Sequence, residues 1–360
     1  MSGQNAVVSS LIVGLALALA IGIGAWMILG SPGAVPRTGL VLAAPTDDEP
    51  VFITVEAGDS AASIGKRLED AGVIDSAGGF QRLAAITGAE RSLAAGEYEF
   101  VRSTSTLDAL SRIRDGLTAA RIVGFPEGMR LEEVAELLEK RGVVKANDFL
   151  TAANTIATSG TNIDADLLSS RPRSATLEGY IYPATYSFSR SITANEVVLT
   201  MLDAMADRFT PALRAEARAQ GLTVHQVLTL AAIVEREVVV PQERATIASV
   251  YRNRLDDGMP LQADPTVQYA ITARPGSIAQ FGYWKKELSL TDLQFPSAYN
   301  TYVEPGLPPG PIGSVSIAAI EAVIRPAKTN YLYFVARNDG SHAFSTTFDE
   351  HQLNVQRYQP

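Results

Sequence analysis

From residue 195 onward, apolar positions recur at spacings of three and four, and that period predicts helices. Three such stretches follow one another: "ANEVVLTMLDAMADRF", "TVHQVLTLAAIVEREV" and "ERATIASVYRNRLDDGM". Thr223 is placed to cap the second, and Gly258 to end the third. Earlier in the chain a mixed pattern occurs twice. "ITVEAGDSAASIGKRLEDAGVI" (53–74) is echoed by "IVGFPEGMRLEEVAELLEKRGVV" (122–144) at an offset of 70 residues. Gly58 matches Gly128, Ile64 matches Val134, Leu68 matches Leu138 and Gly72 matches Gly142. Each copy predicts a short strand, a turn, an amphipathic helix and a glycine stop, with Asp59 or Ser60 capping the first helix. "SLAAGEYEF" (92–100) and "ATLEGYIYP" (175–183) are expected to close the two units as strands. After residue 260 the chain turns rich in Pro, Gly, Tyr and Asn, which predicts long ordered loops. "YLYFVA" (331–336) and "HAFST" (342–346) then read as strands around the turn "RNDG". The expected class is α+β.

The N-terminus carries a different signal. Residues 7–29 hold no charge over 23 positions, enough at about 1.5 Å per residue to span a hydrocarbon core of about 30 Å. "MSGQNA" before it has no Lys or Arg, unlike the start of a cleaved signal peptide, so a retained single-pass transmembrane helix is expected. Neither flank has a basic cluster that would fix its orientation. The expected organisation is an anchor (1–30), a linker with four prolines (31–50), a small βα module (51–118) and a larger mixed domain (119–360).

Composition narrows the function. A net charge of −9 and a pI near 5.0 argue against nucleic acid as a partner. The absence of cysteine excludes thiol catalysis, disulfides and zinc–thiolate sites. The three histidines, His225, His342 and His351, fall in no metal-binding spacing, so neither a metal nor a cofactor is expected. Ser63 and Lys66 form an SxxK pair, but the second copy has Glu133 and Glu136 there, which marks a solvated helix face.

Within this frame, "LTLAAIVEREVVV" (228–240) is anomalous because it sets Glu235 and Glu237 against the most apolar run outside the N-terminus. On a helix, Glu235 shares its face with Leu228, Ala231, Ala232, Val238 and Val239, while Glu237 points some 200° away. The two acids therefore belong to one site only if the helix breaks. Burial disfavours a charged carboxyl, so Glu235 is expected to hold its proton above the ordinary range and to serve as a general acid. The plain alternative is a structural ion pair with Arg236 or Arg244.

Further blocks decide between these readings. "LEGYIYPATY" (177–186), "AAIVEREV", "SVYRNRLDDGMPLQADPTVQYA" (249–270), "SAYNTY", "GLPPGPI", "PAKTNYLYFVA" and "GSHAFSTTFDEH" occur in this order. Over roughly residues 120–355 the chain closely resembles the YceG-like family of endolytic murein transglycosylases. The resemblance implies a LysM-like module and a catalytic domain with a central helix carrying the acid. That domain would lie on the outer side of a bacterial inner or sole membrane. It further implies peptidoglycan glycan strands as substrate and the wall-synthesis machinery, penicillin-binding proteins included, as partners.

Carried over by motif, the catalytic glutamate falls on Glu235. Glu237, Gln262, Asp264, Thr266, Tyr299 and Asn300 become substrate-binding candidates, and Glu178 of "LEGY" an additional acid. Tyr180, Tyr182 and Tyr186 are expected to stack on sugar faces. The implied reaction cleaves the β-1,4 bond between N-acetylmuramic acid and N-acetylglucosamine without water. One acid protonates the leaving oxygen and then deprotonates the muramic C6 hydroxyl, giving a 1,6-anhydro end. Two other readings stay open: a muramidase-type hydrolase with a second acid, and an anchored glycan-binding scaffold that does not cut.

Overall fold

The computed structural model describes residues 50–159 and 164–359. The expected anchor and most of the expected linker lie outside the described residues. Among the described residues no helix is long and apolar enough to cross a membrane.

The first unit runs β1 (Val51–Val55), α1 (Ala61–Asp70), α2 (Ala77–Thr87), β2 (Gly96–Phe100) and α3 (Thr106–Arg114). β1 and β2 pair antiparallel, with Ile53 opposite Tyr98. Ser60, not Asp59, caps α1 by accepting from the Ser63 N–H. The unit buries a core of its own, in which Ile53, Ile64, Leu68, Phe80, Tyr98 and Ile113 meet.

The second copy of the repeat builds the same order at larger scale. It runs β3 (Arg121–Gly124), α4 (Leu131–Lys140), α5 (Ala146–Ser159), α6 (Ala165–Leu168) and β4 (Thr185–Phe188), with β3 and β4 antiparallel. The closing strand lies later than expected. Residues 175–183 form turns because Gly179 adopts φ +76° and packs against the 311–313 segment; a Cβ there would sit 2.3 Å from the Pro311 side chain. The "LEGY" and "GLPPGPI" blocks are thus joined by a close backbone approach that only glycine permits.

The helices follow as the period predicts: α7 (Ala194–Arg208), α8 (Pro211–Ala219), α9 (Val224–Glu237) and α10 (Arg244–Asp256). Thr223 and Gln226 form a capping box at the start of α9. Every residue of α9 from Val227 to Val234 is buried. Hence α9 is the central helix of the larger core, packed against α8, α10 and the later helix α13 (Ile317–Ile324). Its end is set by sequence. Val238–Val240 are β-branched, and Pro241 disfavours helical geometry in the residue before it, so the backbone turns extended at Val238.

The loops expected after 260 contain two further helices, α11 (Asp264–Thr272) and α12 (Ser277–Phe281). Pro265 sits in the first turn of α11, where its missing N–H costs nothing. The hairpin β5 (Tyr333–Ala336) and β6 (His342–Ser345) and the terminal helix α14 (Phe348–Tyr358) complete the chain.

The contact at Gly179 gives a test. Gly179→Ala is expected to destabilise the protein by roughly 1–3 kcal/mol from overpacking, with left-handed strain of about 1–2 kcal/mol in addition. Urea denaturation measures it, and an unchanged midpoint would remove the close approach from the account.

Candidate active site

Both acids lie on the last turn of α9, two residues apart, and the helix points them in different directions. Glu235 points at the start of α13, where Ser316 caps the helix. The Ser316 backbone N–H donates to Glu235 Oε2 at 2.9 Å, the Ser316 hydroxyl donates to the same oxygen, and Arg244 lies 3.9 Å from Oε1. The apolar surroundings expected for Glu235 are replaced by two hydrogen-bond donors and a guanidinium. It tethers α9 to α13 and α10.

Glu237 lines a cavity of about 320 Å³ on the other side. Tyr251 of α10 donates to its Oε1 at 2.9 Å. The carboxyl is pushed up to about 7, first by burial and then by the charge of Asp264, while the Tyr251 hydrogen bond and Arg236 pull the other way. The negative end of α9 acts in the same direction as burial. It is therefore Glu237 that meets the requirement for a general acid near neutral pH.

Gln262 and Asp264 line the same cavity. Gln262 is held at φ +52°, unusual for a residue with a Cβ, by its N–H bond to the Thr301 carbonyl at 3.0 Å. Arg254 Nη1 donates to Gln262 Oε1 at 3.3 Å, and the amide NH2 has no acceptor among the described residues. Asp264 accepts from the Tyr302 hydroxyl at 2.6 Å. His342 and His351 form the opposite wall. His342 Nδ1 is bonded to Glu243 at 2.7 Å, and burial and Arg254 hold His351 below the usual histidine range, hence neutral at pH 7.

The remaining candidates turn out to be framework. Thr266 is fully buried, bonded to the Ala263 carbonyl and to Thr301. Asn300 is fully buried too; it donates to the Leu293 and Phe295 carbonyls and accepts from the Tyr302 N–H, so its amide has no donor left for a ligand. Tyr299 packs on Tyr269 at 4.8 Å between ring centres, away from the cavity. Glu178 is buried and caps α4, accepting the Leu131 N–H with both oxygens; burial first, then Glu132, pushes it up to about 8. Tyr180, Tyr182 and Tyr186 are core residues, with the Tyr180 hydroxyl on His225 and the Tyr186 hydroxyl on the Tyr182 carbonyl. None of the three offers a face to a sugar.

A second cleft, of about 410 Å³, lies where the first unit meets the rest, lined in part by Glu99, Arg112 and Arg190. Its charges satisfy one another: Arg190 pairs with Glu99 at 3.1 Å, and Arg112 with Asp108 at 3.0 Å. The Glu237 cavity differs in holding an unpaired acid. No group of three or more potential metal ligands occurs among the described residues.

Residues 53–357 match the model of the YceG-like family. The chain belongs to that family. It is 30% identical over 315 residues to a protein of Bacillus subtilis named endolytic murein transglycosylase, covering 86% of this chain and 84% of that one. A protein of the same name from Streptococcus pneumoniae is 30% identical over 324 residues, covering 85% of this chain and 58% of that longer one. Among solved structures, a YceG-like protein of Listeria monocytogenes is 32% identical, with a TM-score of 0.55, covering 85% of this chain and 98% of that chain.

The Tyr251, Arg254, Tyr302, His342 and His351 side chains were not singled out by sequence. All five lie inside the family blocks, but nothing in their spacing marks them as neighbours of an acid. A stability prediction follows from the environment of Glu237. Its folded pKa near 7 exceeds the unfolded value of about 4.3, so the folded state binds more protons between the two, and stability falls as pH rises through that window. Glu178 adds a slope of the same sign up to about 8. Glu237→Gln is expected to melt higher than wild type above pH 7, with the difference vanishing toward pH 4. Thermal melts across that range measure it, and a pH-independent difference would contradict the assignment.

Proposed function

We propose that the chain is an endolytic murein transglycosylase whose proton carrier is Glu237, not Glu235. The observation that carries this reading is a cavity-lining carboxyl at the end of the central helix, pushed up to about 7 by burial, in a member of this family. Glu237 gives its proton to the oxygen between N-acetylmuramic acid and N-acetylglucosamine as that bond breaks. The resulting carboxylate takes the proton of the muramic C6 hydroxyl, whose oxygen closes on the anomeric carbon. The products are a 1,6-anhydro end and a free 4-hydroxyl, and water takes no part.

A single acid suffices because the nucleophile belongs to the substrate. Intramolecular attack carries an effective concentration of roughly 10⁵ M or more, which replaces a second catalytic group. Gln262 and Asp264 are the polar groups placed to hold acetamido or hydroxyl groups of the strand.

Asp264 is also what favours a second reading, a muramidase-type hydrolase, since it places a second carboxylate on the same cavity. Residues 7–29 are proposed as a membrane anchor that keeps the catalytic domain on the outer side, beside penicillin-binding proteins and nascent strands. The strand–helix–helix–strand order of 51–100 supports a LysM-like, glycan-binding role for the first unit.

The deciding experiment digests purified murein with the full-length chain and resolves the products by mass spectrometry. Glu237→Gln is expected to lower the yield of anhydro-ended fragments by about 10²-fold or more, while Glu235→Gln keeps most of it. Loss in Glu235→Gln alone would return the role to Glu235. Reducing-end muramic acid would favour the hydrolase, and intact binding and wall function in both variants would favour the scaffold. Because the acid must start protonated, the wild-type rate is expected to fall on the alkaline side with a midpoint near 7.

A further inference from the structure

Glu237 has two oxygens with different surroundings. Oε1 accepts from Tyr251 at 2.9 Å, whereas no hydrogen bond reaches Oε2 among the described residues, and Oε2 is not sealed from solvent. Tyr251 itself is 1% exposed, on the inward face of α10, with its ring edge-on to Phe334 at 5.8 Å. Its hydroxyl therefore has a fixed direction.

None of the other described polar groups around Glu237 donates to it, and most are committed elsewhere. Asp264, on α11, is held by Tyr302 from the following loop. Arg254 on α10 spends its donors on Leu332, Leu261 and Gln262. From the hairpin, His342 is bonded to Glu243, and from α14 the neutral His351 stacks on Tyr333 at 5.3 Å. Arg236, next in sequence, lies over the Trp284 ring at 3.9 Å. Among the described residues Tyr251 is thus the one hydrogen-bond donor to Glu237.

We propose that Tyr251 is a positioning residue that decides which oxygen of Glu237 carries the proton. By donating to Oε1 it makes that atom the carbonyl-type oxygen of the neutral acid, and the proton resides on Oε2, which faces the cavity. When Oε2 gives its proton to the glycosidic oxygen, the charge that develops on the carboxylate strengthens the Tyr251 bond. Oε2 then recovers a proton from the C6 hydroxyl, and Tyr251 is unchanged over the cycle. The bond is worth more in the charged than in the neutral state, so it assists the proton's departure. This inference rests on Glu237 being the acid.

The test compares the full-length wild type with Tyr251→Phe, which keeps the ring and its packing on Phe334. Cleavage of purified murein is followed across pH. The expected result is a fall in kcat of about tenfold with KM little changed, together with an alkaline limb moved up by about one pH unit, since the donor that favours the carboxylate is gone. A fluorinated tyrosine incorporated at position 251 is a stronger donor and is expected to move the limb the other way. It also serves should the phenylalanine variant fold poorly. An alkaline limb that stays in place in both proteins would overturn the proposal, because a merely structural hydroxyl changes stability and not the titration of Glu237. If instead Glu237→Gln cleaves normally, the assignment of the acid has failed, and that outcome is read independently of Tyr251.

Discussion

The end of α9 sets an electrostatic cost on the wall of a cavity. A carboxyl at the negative end of a helix, walled by a buried tyrosine and facing another acid, loses hydration and gains little attraction in return. The one hydrogen bond from Tyr251 limits that cost without abolishing it. A weaker opposing pull would leave an acid that never releases its proton; a stronger one would leave a carboxylate with no proton to give. A value near 7 lies between these, which is the range in which one group serves as acid and base in turn.

The rest of the larger domain holds that arrangement still. Glu235 uses the same helix turn for the opposite purpose, locking α9 to the cap of α13 through Ser316. Glu178 closes the start of α4, and Gly179 lets the adjacent turn press against Pro311. Thr266, Thr301 and Asn300 form a buried hydrogen-bond net beneath Asp264 and Tyr302, fixing the loop that forms one side of the cavity. These residues belong to the most distinctive blocks of the sequence, yet their polar atoms are spent on the protein's own framework.

That division explains what could be read from sequence and what could not. Helix period and caps gave the elements because those signals are local: Thr223 and Gly258 each act within a few positions of themselves, and each copy of the repeat carries its own pattern. The closing strand of the second unit was misplaced because a long-range contact at Gly179 overrides the strand-like composition of 175–183. The wheel geometry of α9 correctly separated Glu235 from Glu237. It misjudged which one is deprived of partners, since the donors at Glu235 arrive from Ser316, 81 residues away in sequence. Hydrophobic neighbours on one helix say that an acid is covered; they do not say what covers it.

Of eight residues drawn from the family blocks, Glu237, Gln262 and Asp264 reach the cavity, while Thr266 and Asn300 are spent on the loop beneath it. A buried amide with all its bonds made cannot also bind a sugar, and a fully enclosed threonine cannot either. Substituting such a residue would loosen the loop that holds Asp264 and Tyr302 beside Glu237. Loss of function alone therefore does not separate the acid from its scaffold. A moved titration midpoint does, because the proton equilibrium of Glu237 depends on the few groups that face it and is indifferent to how firmly the remainder of the chain is folded.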